Sequence, residues 1–203
     1  GGDDLFVLGR WNVVIDLAEA IRRDFRRWAC HHADLTLSGG VALVPPKFPI
    51  AKAAELAGEA EKLAKEHALP NGREKDSFAL LGYALHWDVE FPVVKALKGQ
   101  LADGLRGGVP RSLLRTVFDF HELRTRQRTR GENETWRWRL AYQLARAQER
   151  AKKDAAAVAL FEDLKTNVFT NQHGGKPLSG DTHYDFLDLL YVAARWTELE
   201  LRN

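Results

Sequence analysis

Every strand-like segment of this chain lies before or at Trp87, and everything after it repeats at helical spacing. That switch restricts the fold to an α+β domain followed by an all-α one. Leu5-Phe6-Val7-Leu8 is a short apolar run closed by Gly9, which predicts a buried strand. From Asn12, an N-cap candidate, apolar residues recur at Val14, Leu17, Ala18, Ile21, Phe25 and Trp28, with Arg22, Arg23, Arg26 and Arg27 mostly away from that stripe. Leu35 to Val44 alternates and then turns apolar, predicting a strand with Gly39-Gly40 as a bulge or close-approach point, ended by Pro45-Pro46 and Pro49. A second helix is expected from about Ile50 to His67, with Glu61 four residues before Lys65, and Ser77 to Trp87 reads as one more strand. The order is β-α-β-α-β.

Helices are then expected at about 89–105, 111–127, 135–150 and 152–169, a polar loop at 170–180, and a last helix through Phe186, Leu190 and Thr197. The Gly107-Gly108 break divides the chain into a domain over 1–106 and a helical domain over 107–203. The longest apolar run, Ala155 to Phe161, is far too short for a bilayer span, so no membrane partner is expected. Cys30 is the single cysteine, which suits a reducing, cytoplasmic setting. The chain has no methionine and opens on Gly1-Gly2-Asp3-Asp4, as expected of a piece of a longer polypeptide.

Charge is unevenly spread. Residues 106–152 hold 12 Lys/Arg against 5 Asp/Glu, while 1–105 hold 13 against 15 and 153–203 hold 5 against 8. The basic block fits contact with phosphate or with an acidic protein surface, and equally a solvated helix face.

Two glycines before two aspartates form the natural tip of a tight hairpin, and they leave room for a ligand beside the backbone. Adjacent carboxylates at that tip, Asp3 and Asp4, can hold a hard divalent cation such as Mg²⁺ (or Mn²⁺), the equipment of two-metal nucleotidyl transfer. The same residue types also make an ordinary hairpin turn. Cys30-His31-His32 lacks metal-ligand spacing and reads as helix-end residues, while the loose His173, Asp181, His183 group offers zinc as one reading and a capped helix start as the better one. Trp136 and Trp138, flanked by Arg137 and Arg139, suit stacking on nucleic acid or packing in the helical domain.

The ordered set of segments resembles a known family. Gly1 to Gly9, Trp11 and its long helix, Thr36-Leu37-Ser38-Gly39-Gly40-Val41-Ala42, and Ala51 to Lys65 are similar to the second palm domain of the large subunit of type III CRISPR effector complexes, the Csm type most of all. Lys75 to Gly82, Arg111 to Leu114 and Trp138 to Tyr142 extend the resemblance over essentially the whole chain. It implies the carboxy-terminal half of a ferredoxin-like palm of polymerase/cyclase type, joining ATP into cyclic oligoadenylates when the complex binds target RNA. Carried over by position, Asp3 and Asp4 are the catalytic metal ligands, and Gly1 and Gly2 are the turn beside the nucleotide. Ser38 borders the nucleotide site, and Lys65, with Lys62 one turn earlier, is aimed at triphosphate oxygens. A surface pair with Glu61 is the plainer role for Lys65.

The implied partners are the remainder of the large subunit, the Cas5-like and small helical subunits of the effector, and guide and target RNA. Relatives carry a further carboxylate on a first palm strand that this chain lacks. An unpaired strand edge is therefore expected, and a chain that is not a stable, active enzyme on its own. Two rivals remain. A diguanylate cyclase-like enzyme using GTP shares the hairpin but normally carries Glu-Phe where Asp4-Leu5 stand here. A catalytically silent ribonucleoprotein scaffold is the other.

Overall fold

The computed structural model describes residues 4–131, 133, 135–178 and 180–202. The chain divides into two compact units, Gly1–Phe91 and Pro92–Asn203.

In the first unit, helix α1 (Trp11–Trp28) precedes strand β1 (Gly39–Val41), helix α2 (Ile50–Glu66) and the hairpin β2 (Ser77–Leu80) and β3 (Tyr83–His86). β1 pairs parallel to β2 in the register Gly39↔Phe78, Gly40↔Ala79 and Val41↔Leu80, so α2 is the crossover that a parallel pair requires. β2 and β3 are antiparallel, closed by Leu81 and Gly82 at φ of 54° and 84°, a primed two-residue turn. Phe78 stacks on Trp87 at 4.7 Å, and Phe91 stands edge-on to both at 5.6 and 5.2 Å. With Leu80, Ala84 and Leu85 these rings form the core. The Trp87 indole N–H donates to the Leu37 carbonyl at 2.9 Å, which ties the segment before β1 to the end of β3.

Three strand expectations change. Leu5 to Leu8 is in no strand, and its side chains are exposed, Leu5 by 71%. Among the described residues β1 is an edge of the three-stranded sheet, and this run does not pair with it. The strand expected over Leu35 to Val44 shortens to Gly39–Val41, and that expected over Ser77 to Trp87 is a hairpin. The mixed α+β character stands.

The second unit takes up the remainder of α3 (Glu90–Arg106), then α4 (Ser112–Arg130), α5 (Trp136–Arg150), α6 (Ala155–Thr170), the small hairpin β4 (Gln172–His173) and β5 (Lys176–Pro177), and α7 (Phe186–Leu201). The expected boundary at 106/107 falls inside this unit. The reason is bonding along α3. The Lys98 carbonyl accepts from Thr197 Oγ1 at 3.4 Å, the Lys98 ammonium pairs with Glu200 and lies over the Trp196 ring, and Gly104 lies against Leu160. The expected loop at 170–180 contains the β4–β5 hairpin, turned by Gly174 and Gly175 at φ of 57° and 75°.

α7 is buried on nearly every side, from Phe186 and Leu187 through Ala194 to Trp196. Asp185 caps it, accepting from the Leu187 and Asp188 amides at 3.0 and 3.1 Å, while Asp188 accepts from the Asp185 amide at 3.2 Å. Asn171 accepts from the Phe186 amide at 2.8 Å. The Arg124 guanidinium of α4 bonds both capping carboxylates, Asp185 and Asp188, and lies 5.8 Å from the Trp136 ring centroid. His121 reaches Asp188 at 3.3 Å and stacks on Tyr191 at 4.0 Å. No helix among the described residues is long and apolar enough to cross a membrane.

Burial alone raises the Asp188 pKa, but hydrogen bonds from His121 and Arg124 and the Arg124 charge bring it down to about 2. Its folded pKa therefore lies below the unfolded value, and its contribution to stability is complete above about pH 4. As pH falls from there towards 2 that contribution is lost. Acid titration followed by circular dichroism should show this loss, and Asp188→Asn should flatten it. Arg124→Ala removes the cation that bonds both capping carboxylates, leaving Arg128 on Asp185 and His121 on Asp188, and should cost about 1.5–3 kcal/mol in urea unfolding.

Candidate functional site

Gly1, Gly2 and Asp3 lie outside the described residues, and Asp4 is exposed at the start of the described chain. The other sequence candidates fall on two packed elements. Ser38 immediately precedes β1, and Lys62 and Lys65 lie on α2. What sets the spacing of these elements is Gly40. A Cβ there would lie 2.5 Å from the carbonyl carbon of Ala60, 2.6 Å from its Cβ and 2.7 Å from the Glu61 amide nitrogen. The second glycine of the Ser-Gly-Gly run is thus explained by helix contact.

Ser38 Oγ is buried and has no hydrogen-bond partner among the described residues. A hydroxyl left in that state normally costs free energy, so it marks a position where a ligand oxygen or nitrogen would be favoured. Lys65 pairs with Glu61 at 2.7 Å and Lys62 with Glu66 at 3.7 Å; both lysines and Glu66 are exposed, and Glu61 is partly so. Such surface pairs are weak, so either ammonium can exchange its partner at little cost. Among the described residues no three His, Cys, Asp or Glu side chains group to hold a metal ion. A hard divalent cation fits the chemistry of the Asp3-Asp4 pair, which offers only carboxylate oxygens, and Asp4 is solvent-accessible.

One polar cluster was not anticipated. Arg22 Nη2 donates to Asp76 Oδ2 at 2.8 Å and Asp88 Oδ2 at 2.9 Å, joining α1 to both ends of the β2–β3 hairpin. The signal was available: Arg22 lies four residues after Ala18 and three before Phe25, within the apolar stripe. Beside it, Glu90, fully buried, accepts from the His86 amide at 2.8 Å and pairs with His67 Nε2 at 2.7 Å. Burial first, and the nearby Arg73 charge second, lower the His86 pKa against the opposing Asp76, Asp88 and Glu90. His86 Nδ1 accepts from the Asp88 amide at 3.2 Å, so the neutral ring carries its proton on Nε2, which is buried without a partner among the described residues.

In the helical unit the basic block is partly neutralised. Arg115 pairs with Asp119 at 2.8 Å, Arg128 with Asp185 at 3.1 Å, and Arg106 with Glu200 at 2.6 Å. An open groove of about 320 Å³ between α4 and α5 is lined by Asp119, Phe120, Leu123, Arg139, Tyr142 and Gln143. Trp136 is buried, whereas Trp138 is 69% exposed.

Residues 1–79 match the family described as Cas10/Cmr2, second palm domain. The chain is 33% identical over 96 residues to the CRISPR system single-strand-specific deoxyribonuclease Cas10/Csm1 (subtype III-A) of Methanocaldococcus jannaschii, covering 44% of this chain and 12% of that protein. It is 40% identical over 80 residues to the protein of the same description from Streptococcus thermophilus, covering 39% and 10%. With the Thermococcus onnurineus protein of that description it shares 27% identity over 157 residues, covering 72% and 19%. That last stretch is longer than the first compact unit, so it takes in part of the helical unit. The chain spans about a tenth to a fifth of the length of these relatives. No solved structure matches.

The contact at Gly40 gives a sharp test. Gly40→Ala forces a methyl into the α2 backbone and should destabilise the first unit by about 1–3 kcal/mol, read by urea unfolding. Gly39→Ala, whose Cβ would meet only Phe78 Cδ2 at 3.9 Å, should be far milder.

Proposed function

We propose, from the premise that this chain belongs to the Cas10 family through the second palm of residues 1–79, that it supplies the nucleotidyl-transfer half-site of a type III CRISPR large subunit. The observation that carries this reading is the family match over the stretch that holds Asp3-Asp4 and Ser38-Gly39-Gly40. Within the complete subunit the palm converts ATP to cyclic oligoadenylates when target RNA is bound.

In each step the 3′-oxygen of one ATP forms a bond to the α-phosphorus of another. The bond from that phosphorus to the β-phosphate oxygen breaks, pyrophosphate leaves, and the hydroxyl proton passes to water. Divalent cations, when bound, acidify the attacking hydroxyl and neutralise charge on the leaving oxygens. Asp3 and Asp4 would hold them with carboxylate oxygens, and Gly1 and Gly2 would let the nucleotide approach the backbone. The unpartnered Ser38 hydroxyl would donate to ribose or base. Lys65, and Lys62 beside it, would trade Glu61 and Glu66 for triphosphate oxygens.

The β1–α2–β2 crossover and the β1 edge, unpaired among the described residues, support a half palm of ferredoxin-like type that is completed by the remainder of the large subunit. The helical unit, with its basic block, would contact other effector subunits or RNA. The setting of such a complex is the cytoplasm.

Asp3→Ala with Asp4→Ala in the complete complex should reduce oligoadenylate formation to background while leaving guide and target binding unchanged. Undiminished synthesis would refute the metal-ligand assignment, and turnover of GTP in place of ATP would favour the diguanylate cyclase-like rival. Ser38→Ala, which removes one neutral hydrogen bond, should raise KM for ATP by roughly 2- to 10-fold.

A further inference from the structure

The outward face of α5 carries large side chains that contact the rest of the helical unit but remain mostly exposed. Trp136, Leu140, Ala141 and Leu144 are buried, whereas Trp138 and Tyr142, one turn apart, are 69% and 58% exposed. Trp138 stands edge-to-face with Phe169 at 4.7 Å and 84°, which positions the indole while most of it stays in water. One turn further on, the Arg146 guanidinium lies 5.7 Å from the Tyr142 ring centroid. Tyr142 and Arg139 also line the α4–α5 groove with Phe120 and Leu123. Arg139 has no ion pair among the described residues, and the acid in that lining, Asp119, is already paired with Arg115 at 2.8 Å. The surrounding block 106–152 holds 12 Lys/Arg against 5 Asp/Glu.

We propose that the α4–α5 groove and the Trp138–Tyr142 face form a seat for single-stranded nucleic acid, with bases on the rings and phosphates on Arg139 and Arg146. Rings interleaved with arginines are the sequence-tolerant means of holding a single strand, because every base presents a π-face. A duplex hides those faces in its own stack. An acidic protein segment would satisfy the arginines but would set carboxylates against the negative faces of two exposed rings. This deepens the reading of the basic block as an RNA or subunit contact and rests on it. It is independent of the catalytic reading of Asp3 and Asp4.

The test measures anisotropy of fluorescein-labelled oligouridylate and oligodeoxythymidylate with the complete large subunit that contains this chain, purified and held in EDTA, from about 50 to about 200 mM salt. Saturable binding is expected. Trp138→Ala with Tyr142→Ala should weaken it roughly tenfold or more, with an unchanged melting temperature because both side chains are exposed. Arg139→Gln with Arg146→Gln should lower the salt slope by about 0.7 per lost phosphate contact. Equal binding of the two strands would assign the affinity to rings and phosphates, and tighter binding of RNA would add a 2′-hydroxyl contact; both support the seat. Binding undiminished in the aromatic double variant overturns the groove assignment and leaves the basic-block reading standing. No binding of either strand overturns both. Polyglutamate that competes as well as unlabelled RNA would make this an acidic-protein surface and overturn the proposal.

Discussion

The contact between the backbone of Gly40 and the Ala60–Glu61 step of α2 is the constraint on which the first unit depends. It leaves no room for a side chain, so it sets how closely the strand lies on the helix. The depth of Ser38, two residues earlier, follows from that distance. So does the place from which Lys62 and Lys65 leave α2, one and four positions beyond Glu61. The pairing of β1 with β2 then passes the same constraint to the hairpin core of Phe78, Trp87 and Phe91. Residues that carry charge or hydroxyl chemistry are placed here by one that has no side chain at all.

The two units share a second device, an arginine that bonds two carboxylates. Arg22 takes Asp76 and Asp88, at the two ends of the β2–β3 hairpin. Arg124 takes Asp185 and Asp188, the N-cap of α7 and the residue three beyond it. Burying such charges is costly, and hydrophobic replacements of equal volume often match them in stability. What the pairs add in this fold is position. Each arginine sits on a helix that otherwise packs through tolerant apolar contacts, and each fixes that helix against a defined turn or cap.

The helices were legible because their stripes are local: α2 begins at the expected Ile50 and ends one residue before the expected His67, and α5 agrees with expectation to one residue. Strands were less so, for reasons that lie outside their own residues. Leu5 to Leu8 is apolar enough for a core strand, but composition does not provide a ladder partner. The hairpin turn went unread because Leu81 occupies a left-handed position normally given to glycine or asparagine. The unit boundary was placed at Gly107-Gly108 because glycines are visible, whereas α3 runs through Phe91 and Pro92 without a break. At the site, the Lys65–Glu61 pair followed from four-residue spacing, but Arg22 and Asp76 are 54 residues apart and meet only in the folded sheet.

The exposed run Leu5 to Leu8 has a consequence for how this polypeptide behaves in bulk. Four consecutive large apolar side chains in water, in a unit whose β1 edge is open among the described residues, are the ingredients by which sheets recruit foreign strands. Two copies meeting through these features would each relieve the other's unsatisfied backbone and apolar surface. In isolation the chain should therefore self-associate as its concentration rises, and a charged or proline-bearing peptide that covers the β1 edge should oppose this.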